Sequence, residues 1–206
     1  EEKRVLILMS DTGGGHRASA QALQEALLER SNNKTTVSVL DIWTKHSSWP
    51  FSKAVPTYRF LAKRPMLWRA MYNYGRFGPT RMLTEFYSKC LNYNKFYKAV
   101  NDLNPDIVIS VHPLCQSLPL SVLKKINAER AKDNKQRIPF ATVVTDLGSA
   151  HPTWFDSGAD ACFVPSEAVH NLAIDNGMPA HKVHLRGLLM RPKSWSKSVP
   201  SKAEAC

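Results

Sequence analysis

Residues 4–10 read RVLILMS, a continuous apolar run with no polar alternation. A run of this length is too short for a helix and describes a strand buried on both faces. Such strands belong to parallel sheets that are covered by helices on each side. A glycine-rich turn, residues 11–15 (DTGGG), follows, and Ala20, Leu23 and Leu27 then recur at helical spacing within 16–30. The alternation repeats along the chain. Strands are predicted over 35–42 (TTVSVLDI), 106–111 (DIVISV), 138–145 (IPFATVVT), 159–164 and 181–185. Helices are predicted over 114–128 and after Ser166, whose hydroxyl suits an N-cap, and the polar residues 129–137 read as a surface loop. Strands alternating with helices define an α/β chain with a Rossmann-like, doubly wound parallel sheet.

One segment breaks the pattern. Residues 45–98 hold eleven Lys and Arg against the single acid Glu85, so this stretch carries +10 of the chain's net +11. It also holds thirteen of the nineteen aromatics, including all six tyrosines. Pro50, Pro56, Pro65 and Pro79 cut it into short pieces, and Trp68, Tyr72, Tyr74 and Phe77 fall in a loop-like Pro/Gly context. Leu83, Phe86, Tyr87, Cys90 and Tyr97 share one helical face, which marks Phe86, Tyr87 and Tyr97 as core. Cations interleaved with aromatics suit single-stranded nucleic acid or an anionic membrane interface. They also suit a helical subdomain with aromatics inside and cations in water. No RRM, KH or OB signature accompanies the charge, which argues against nucleic acid.

The remaining composition sets limits. At 206 residues the chain is long enough for one full domain with a sizeable core. No apolar run approaches the about 20 residues of a membrane-spanning helix. Cys90, Cys115, Cys162 and Cys206 lie far apart with no CxxC pair. That spacing speaks against a zinc site or a disulfide scaffold and suits a reducing compartment. The chain opens on Glu-Glu-Lys with no visible targeting peptide, and reads as a fragment or processed product.

In an open parallel sheet the ligand binds beyond the carboxyl ends of the strands. The loop after the first strand reads Ser10-Asp11-Thr12-Gly13-Gly14-Gly15-His16-Arg17-Ala18. It is no P-loop, because no Gly-Lys-Ser/Thr follows. It does meet the looser dinucleotide pattern Gly13-x-Gly15-x-x-Ala18, with Asp41 at the end of the second strand placed to bind ribose hydroxyls. An NAD-type domain of an oxidoreductase is therefore the alternative reading, although His16 and Arg17 crowd the pyrophosphate position. A histidine at a helix N-terminus is held neutral by the helix dipole, and neutral imidazole can take a proton from an alcohol.

The blocks VLILMSDTGGGHRASAQAL, DIWTKHSSWPF, PDIVISVHPLCQSLPL and TVVTDLGSAHPTWF stand in one order and register. Together they resemble the N-terminal domain of the plant and algal monogalactosyldiacylglycerol synthase family, with an outline shared by bacterial diacylglycerol glucosyltransferases. The resemblance runs from Val5 to about Pro192. It implies the N-terminal half of a GT-B glycosyltransferase, in which two Rossmann-like halves face each other across a cleft. The implied reaction moves galactose from UDP-galactose to the free hydroxyl of diacylglycerol, with inversion.

Carried onto this sequence, the resemblance makes His16 the general base, with Asp11 beside it in the catalytic block. It assigns acceptor or lipid binding to Gly13, Gly14, Gly15, Trp49, Pro50, His112, Asp146, His151 and Trp154, with Trp154 as a direct lipid contact. No metal and no cofactor are implied; UDP-galactose is a substrate and an anionic phospholipid an activator. The implied partners are diacylglycerol, an anionic membrane surface and a C-terminal donor domain, with no nucleic acid. The implied location is peripheral, at the chloroplast envelope, with the transit peptide outside this chain. The acceptor domain is set at 1–192 with 45–98 as a basic aromatic insertion, and 193–206 read as a linker or truncated end.

Overall fold

The strand β1 (Lys3–Met9) is buried from Val5 onward and lies between β2 (Thr35–Asp41) and β3 (Ile107–Ser110), parallel to both. The computed structural model describes residues 2–11, 14–45 and 47–189, so the expectation for 193–206 lies outside the described residues. β4 (Phe140–Val143), β5 (Ala161–Val164) and β6 (Val183–Leu185) extend the sheet in the order β2-β1-β3-β4-β5-β6, every pair parallel. The predicted Rossmann-like sheet is the observed one. The chain order reverses beside β1, so the topological switch point lies between the carboxyl ends of β1 and β3.

Side chains alternate across this sheet and divide the core in two. Val5, Ile7 and Met9 pack with Ala20, Leu23 and Leu27 of α1 (Gly14–Arg30). Leu6 and Leu8 face the larger core, which takes in Phe96 and Val100 of α5 (Gly78–Leu103) and Leu118, Val122 and Ile126 of α6 (Ser117–Lys132). α7 (Glu167–Asp175) starts as predicted, with the Ser166 hydroxyl accepting the N–H of Val169 at 3.4 Å.

The basic aromatic segment forms helices rather than short irregular pieces. After α2 (Ile42–Lys45) come a 3-10 turn at Phe51–Lys53, α3 (Ala54–Ala62), α4 (Pro65–Arg76) and the 26-residue α5. Pro65 and Pro79 stand in the first turns of α4 and α5, where the missing N–H costs nothing. Trp68, Tyr72 and Tyr74 are therefore helical, and Phe77 caps the junction of α4 and α5.

The face assigned to the core on α5 is corrected in part: Tyr97 does pack against the larger core, the rest does not. Phe86 and Tyr87 are 61% and 54% exposed, and Leu83 and Cys90 are exposed with them. The buried stripe is Ser88, Asn92, Phe96, Ala99 and Val100. Asn92 survives there because its Oδ1 accepts the N–H of Ser48 at 2.6 Å and its Nδ2 donates to the Ser88 carbonyl at 3.0 Å. Among the described residues no helix is long and apolar enough to cross a membrane.

Candidate functional site

His16 sits in the first turn of α1 and reaches across the switch point. Its Nδ1 lies 3.1 Å from the backbone oxygen of Val111, at the end of β3, and 3.1 Å from the Thr145 hydroxyl beyond β4. A carbonyl can only accept, so Nδ1 carries the proton and Nε2 keeps its lone pair. Burial holds this imidazole below its ordinary pKa, opposed by the negative charge of Asp146 and by the Val111 carbonyl. The species at neutral pH is a neutral ring with a free basic nitrogen.

His112 packs edge-on against this ring, with centroids 4.4 Å apart. It is 2% exposed, and its Nδ1 accepts the N–H of Leu114 at 3.1 Å. Burial, with His16 beside it, pushes its pKa well below the ordinary value. Its backbone is pinned by a buried polar network. Gln116 Nε2 donates to the His112 carbonyl at 3.2 Å and to Ser110 Oγ at 3.1 Å, and Gln116 Oε1 accepts the Thr142 hydroxyl at 2.9 Å. His112 backs the His16 ring and lines the same cavity.

Asp146 and Trp154 form the other wall. The Trp154 indole N–H donates to Asp146 Oδ2 at 2.7 Å, and the indole lies 6.1 Å from the His16 ring. Trp154 is fully buried, which corrects its assignment as a direct lipid contact: it fixes the carboxylate whose charge reaches His16. Asp11 is engaged by two arginines. Arg17 meets it at 2.8 Å and Arg59 at 3.3 Å, so it ties the glycine loop to α3 and is held below the usual carboxylate range, chiefly by Arg17.

His151 joins the sheet end to α4. Its Nδ1 accepts the N–H of Thr153 at 3.3 Å, and its ring stands edge-on to Tyr72 at 5.1 Å. A Cβ on Gly75 would lie 3.2 Å from that ring, so glycine is what lets α4 approach it. A Cβ on Gly15, by contrast, would meet nothing, and Gly14 opens α1. Gly13 lies outside the described residues.

His16, His112, Asp146, His151 and Pro50 all line one cavity of about 680 Å³ between the sheet end and α3–α5. Its walls are largely apolar, with Trp43, Phe51, Tyr58, Trp68, Met71 and Leu118. Burial and the Asp146 charge push the Tyr58 phenol up. Trp49, beside Pro50, is 77% exposed. Thr145, Tyr58 and Gln116 escaped the sequence reading. Thr145 closes a predicted strand on the ligand side, which was its only signal. Among the described residues no group of His, Cys, Asp and Glu is placed to hold a metal ion.

Fold and site together define a Rossmann-like domain with a neutral imidazole lining an apolar cavity at its switch point. Residues 16–189 match the family described as monogalactosyldiacylglycerol (MGDG) synthase, and the chain belongs to that family. The probable chloroplastic monogalactosyldiacylglycerol synthase of Nicotiana tabacum is 42% identical over 203 residues, covering 98% of this chain and 36% of that protein. The chloroplastic enzyme of Spinacia oleracea is 40% identical over 203 residues, with 98% and 37% covered. Synthase 1 of Arabidopsis thaliana is 39% identical over 204 residues, again with 98% and 37% covered. The chain thus spans little more than a third of the length of these relatives. Among solved structures, the apo lipopolysaccharide outer core galactosyltransferase WaaB superposes with a TM-score of 0.46 at 14% identity, over 89% of this chain and 44% of that one. The dinucleotide alternative is not supported, since the matching family and the relatives are monogalactosyldiacylglycerol synthases; Asp41 Oδ1 accepts the N–H of Trp43 at 3.1 Å, capping α2.

Proposed function

We propose that this chain is the acceptor half of an inverting glycosyltransferase that moves galactose from UDP-galactose to 1,2-diacylglycerol. The observation that carries the reading is the His16 ring, whose Nδ1–H is spent on Val111 and which lines an apolar cavity. A lipid alcohol is the substrate such a cavity favours, since the acyl portion replaces water against Trp43, Phe51 and Leu118. Nε2 takes the hydroxyl proton as the oxygen attacks the anomeric carbon. One carbon–oxygen bond forms, the bond to the diphosphate breaks, and UDP leaves. UDP-galactose binding is assigned to a partner half outside these residues.

The helical segment supports docking at an anionic bilayer. Each of its cations that reaches such a surface contributes about 1 kcal/mol, and Met66, Phe77, Met82 and Phe86 are all more than 60% exposed in the same segment. Trp49 and Pro50 extend this surface to the cavity mouth. With relatives named chloroplastic, the working location is the chloroplast envelope, held peripherally. The test is galactose transfer from UDP-galactose to diacylglycerol in vesicles by the enzyme that contains this domain. His16→Ala is expected to lower kcat by about 10²–10⁴-fold with the fold intact. Unchanged turnover would remove His16 as the base.

A further inference from the structure

His16 carries one proton on Nδ1 and has two oxygens to offer it to. The Val111 carbonyl and the Thr145 hydroxyl each lie 3.1 Å from that nitrogen. A single N–H shared between two oxygens is a three-centre bond. A protonated Nδ1 has no lone pair left to accept with, so the Thr145 oxygen takes its share of the proton as an acceptor.

The two acceptors come from different strands, and the sheet fixes both. Val111 follows β3, and its N–H donates to the Leu8 carbonyl of β1 at 3.0 Å. Thr145 follows β4 between two anchored neighbours. The Val144 N–H donates to the Phe163 carbonyl of β5 at 2.9 Å, and Asp146 Oδ2 accepts the Trp154 indole N–H at 2.7 Å. Thr145 itself does not line the cavity, so it works through His16 and not on a bound acceptor.

We infer that Thr145 is a positioning residue for the base. With Val111 it clamps the imidazole between the ends of β3 and β4, and it stabilises the imidazolium formed when Nε2 takes the acceptor's proton. The inference rests on the acceptor reading above and adds the residue that holds and tunes its base. Hydrogen bonds from a charged donor are stronger than those from a neutral one, so the bond to Thr145 Oγ1 tightens as the proton arrives. Its loss weakens the base and leaves acceptor binding alone. The charged and titratable groups around the ring are His112 after β3 and Asp146 after β4, with Tyr58 of α3 in the field of Asp146.

The experiment compares Thr145→Val, which keeps the shape and loses the oxygen, with Thr145→Ser, which keeps the oxygen and loses the methyl. The His16 pKa is read by NMR on this chain, and kcat and KM for diacylglycerol on the enzyme that contains this domain. Thr145→Val should lower the His16 pKa by about 0.5–1 and kcat by about three- to tenfold, the worth of one hydrogen bond, with KM unchanged. Thr145→Ser should restore the pKa and bring kcat back to within about twofold of the parent. A threonine that only fills space would make serine the worse of the two. A His16 pKa unchanged or raised in Thr145→Val, a change in KM in place of kcat, or a serine variant no better than the valine one overturns this inference and leaves the acceptor reading intact. Unchanged turnover in His16→Ala overturns both.

Discussion

The sheet half and the helical half of this molecule treat their aromatic and polar residues in opposite ways. Around His16 nearly every polar atom is engaged. Trp154 holds Asp146, Gln116 holds the His112 turn, and Val111 fixes the His16 tautomer. On α4 and α5 the large residues Met66, Phe77, Met82 and Phe86 face outward among cations. The contrast fits the two jobs proposed for the two halves. Chemistry needs one ring held in one protonation state, whereas docking needs apolar surface that is free to leave water.

The two halves meet where His151 touches Tyr72 and Gly75, and substitutions on either side of that seam should behave differently. The largest effect belongs to Trp154→Ala. It empties a fully buried site and strips Asp146 of its donor, at a cost of about 3–5 kcal/mol in denaturant unfolding. Retained stability would break the claim that this indole is structural. Gly75→Val drives side-chain atoms into the His151 ring and should cost about 1–3 kcal/mol, while detaching α4 from the sheet.

Acid should act on the sheet half. His16, His112 and His151 are all held below the ordinary histidine value, in each case chiefly by burial. The unfolded chain therefore takes up protons first as pH falls. The neutral rings' contribution is full above about pH 6.5 and is lost progressively below it, toward the folded values. Thermal melts from about pH 7.5 to 5 should fall, and His112→Gln should make the fall shallower, because His112 is pushed furthest. A melt independent of pH would contradict the buried, neutral cluster.

The smallest change in stability belongs to the helical half. Phe86→Ser with Tyr87→Ser should alter unfolding by no more than about 0.5 kcal/mol per site, both being exposed. Flotation with vesicles containing anionic phospholipid should nevertheless drop several-fold. Undiminished flotation would move the docking surface elsewhere.

The same contrast governs what could be read from the sequence. β1 and β3 were legible because strands covered on both faces are apolar at every position, and RVLILMS has no other reading in a domain of this size. His16 was legible because glycines and a helix start frame it. The partner of Asp146 was not, since nothing in TDLGSAHPTWF distinguishes a tryptophan that inserts in lipid from one that turns inward to a carboxylate. α5 misled for a definite reason. Its apolar periodicity lies on the exposed face, while the buried face carries Ser88 and Asn92, whose burial depends on bonds to Ser48 and on a cavity invisible in sequence. Gly75 gave no signal, because its reason is the ring of His151, 76 positions later.

The most direct measurement is the protonation state of His16, read by nitrogen-15 NMR of the imidazole at pH 7 with and without diacylglycerol in bicelles. The predicted result is a proton on Nδ1, a bare Nε2, and a shift of the Nε2 signal when the lipid alcohol arrives. A proton on Nε2, or an Nε2 signal indifferent to diacylglycerol, would contradict the assignment of this ring as the base that faces the acceptor.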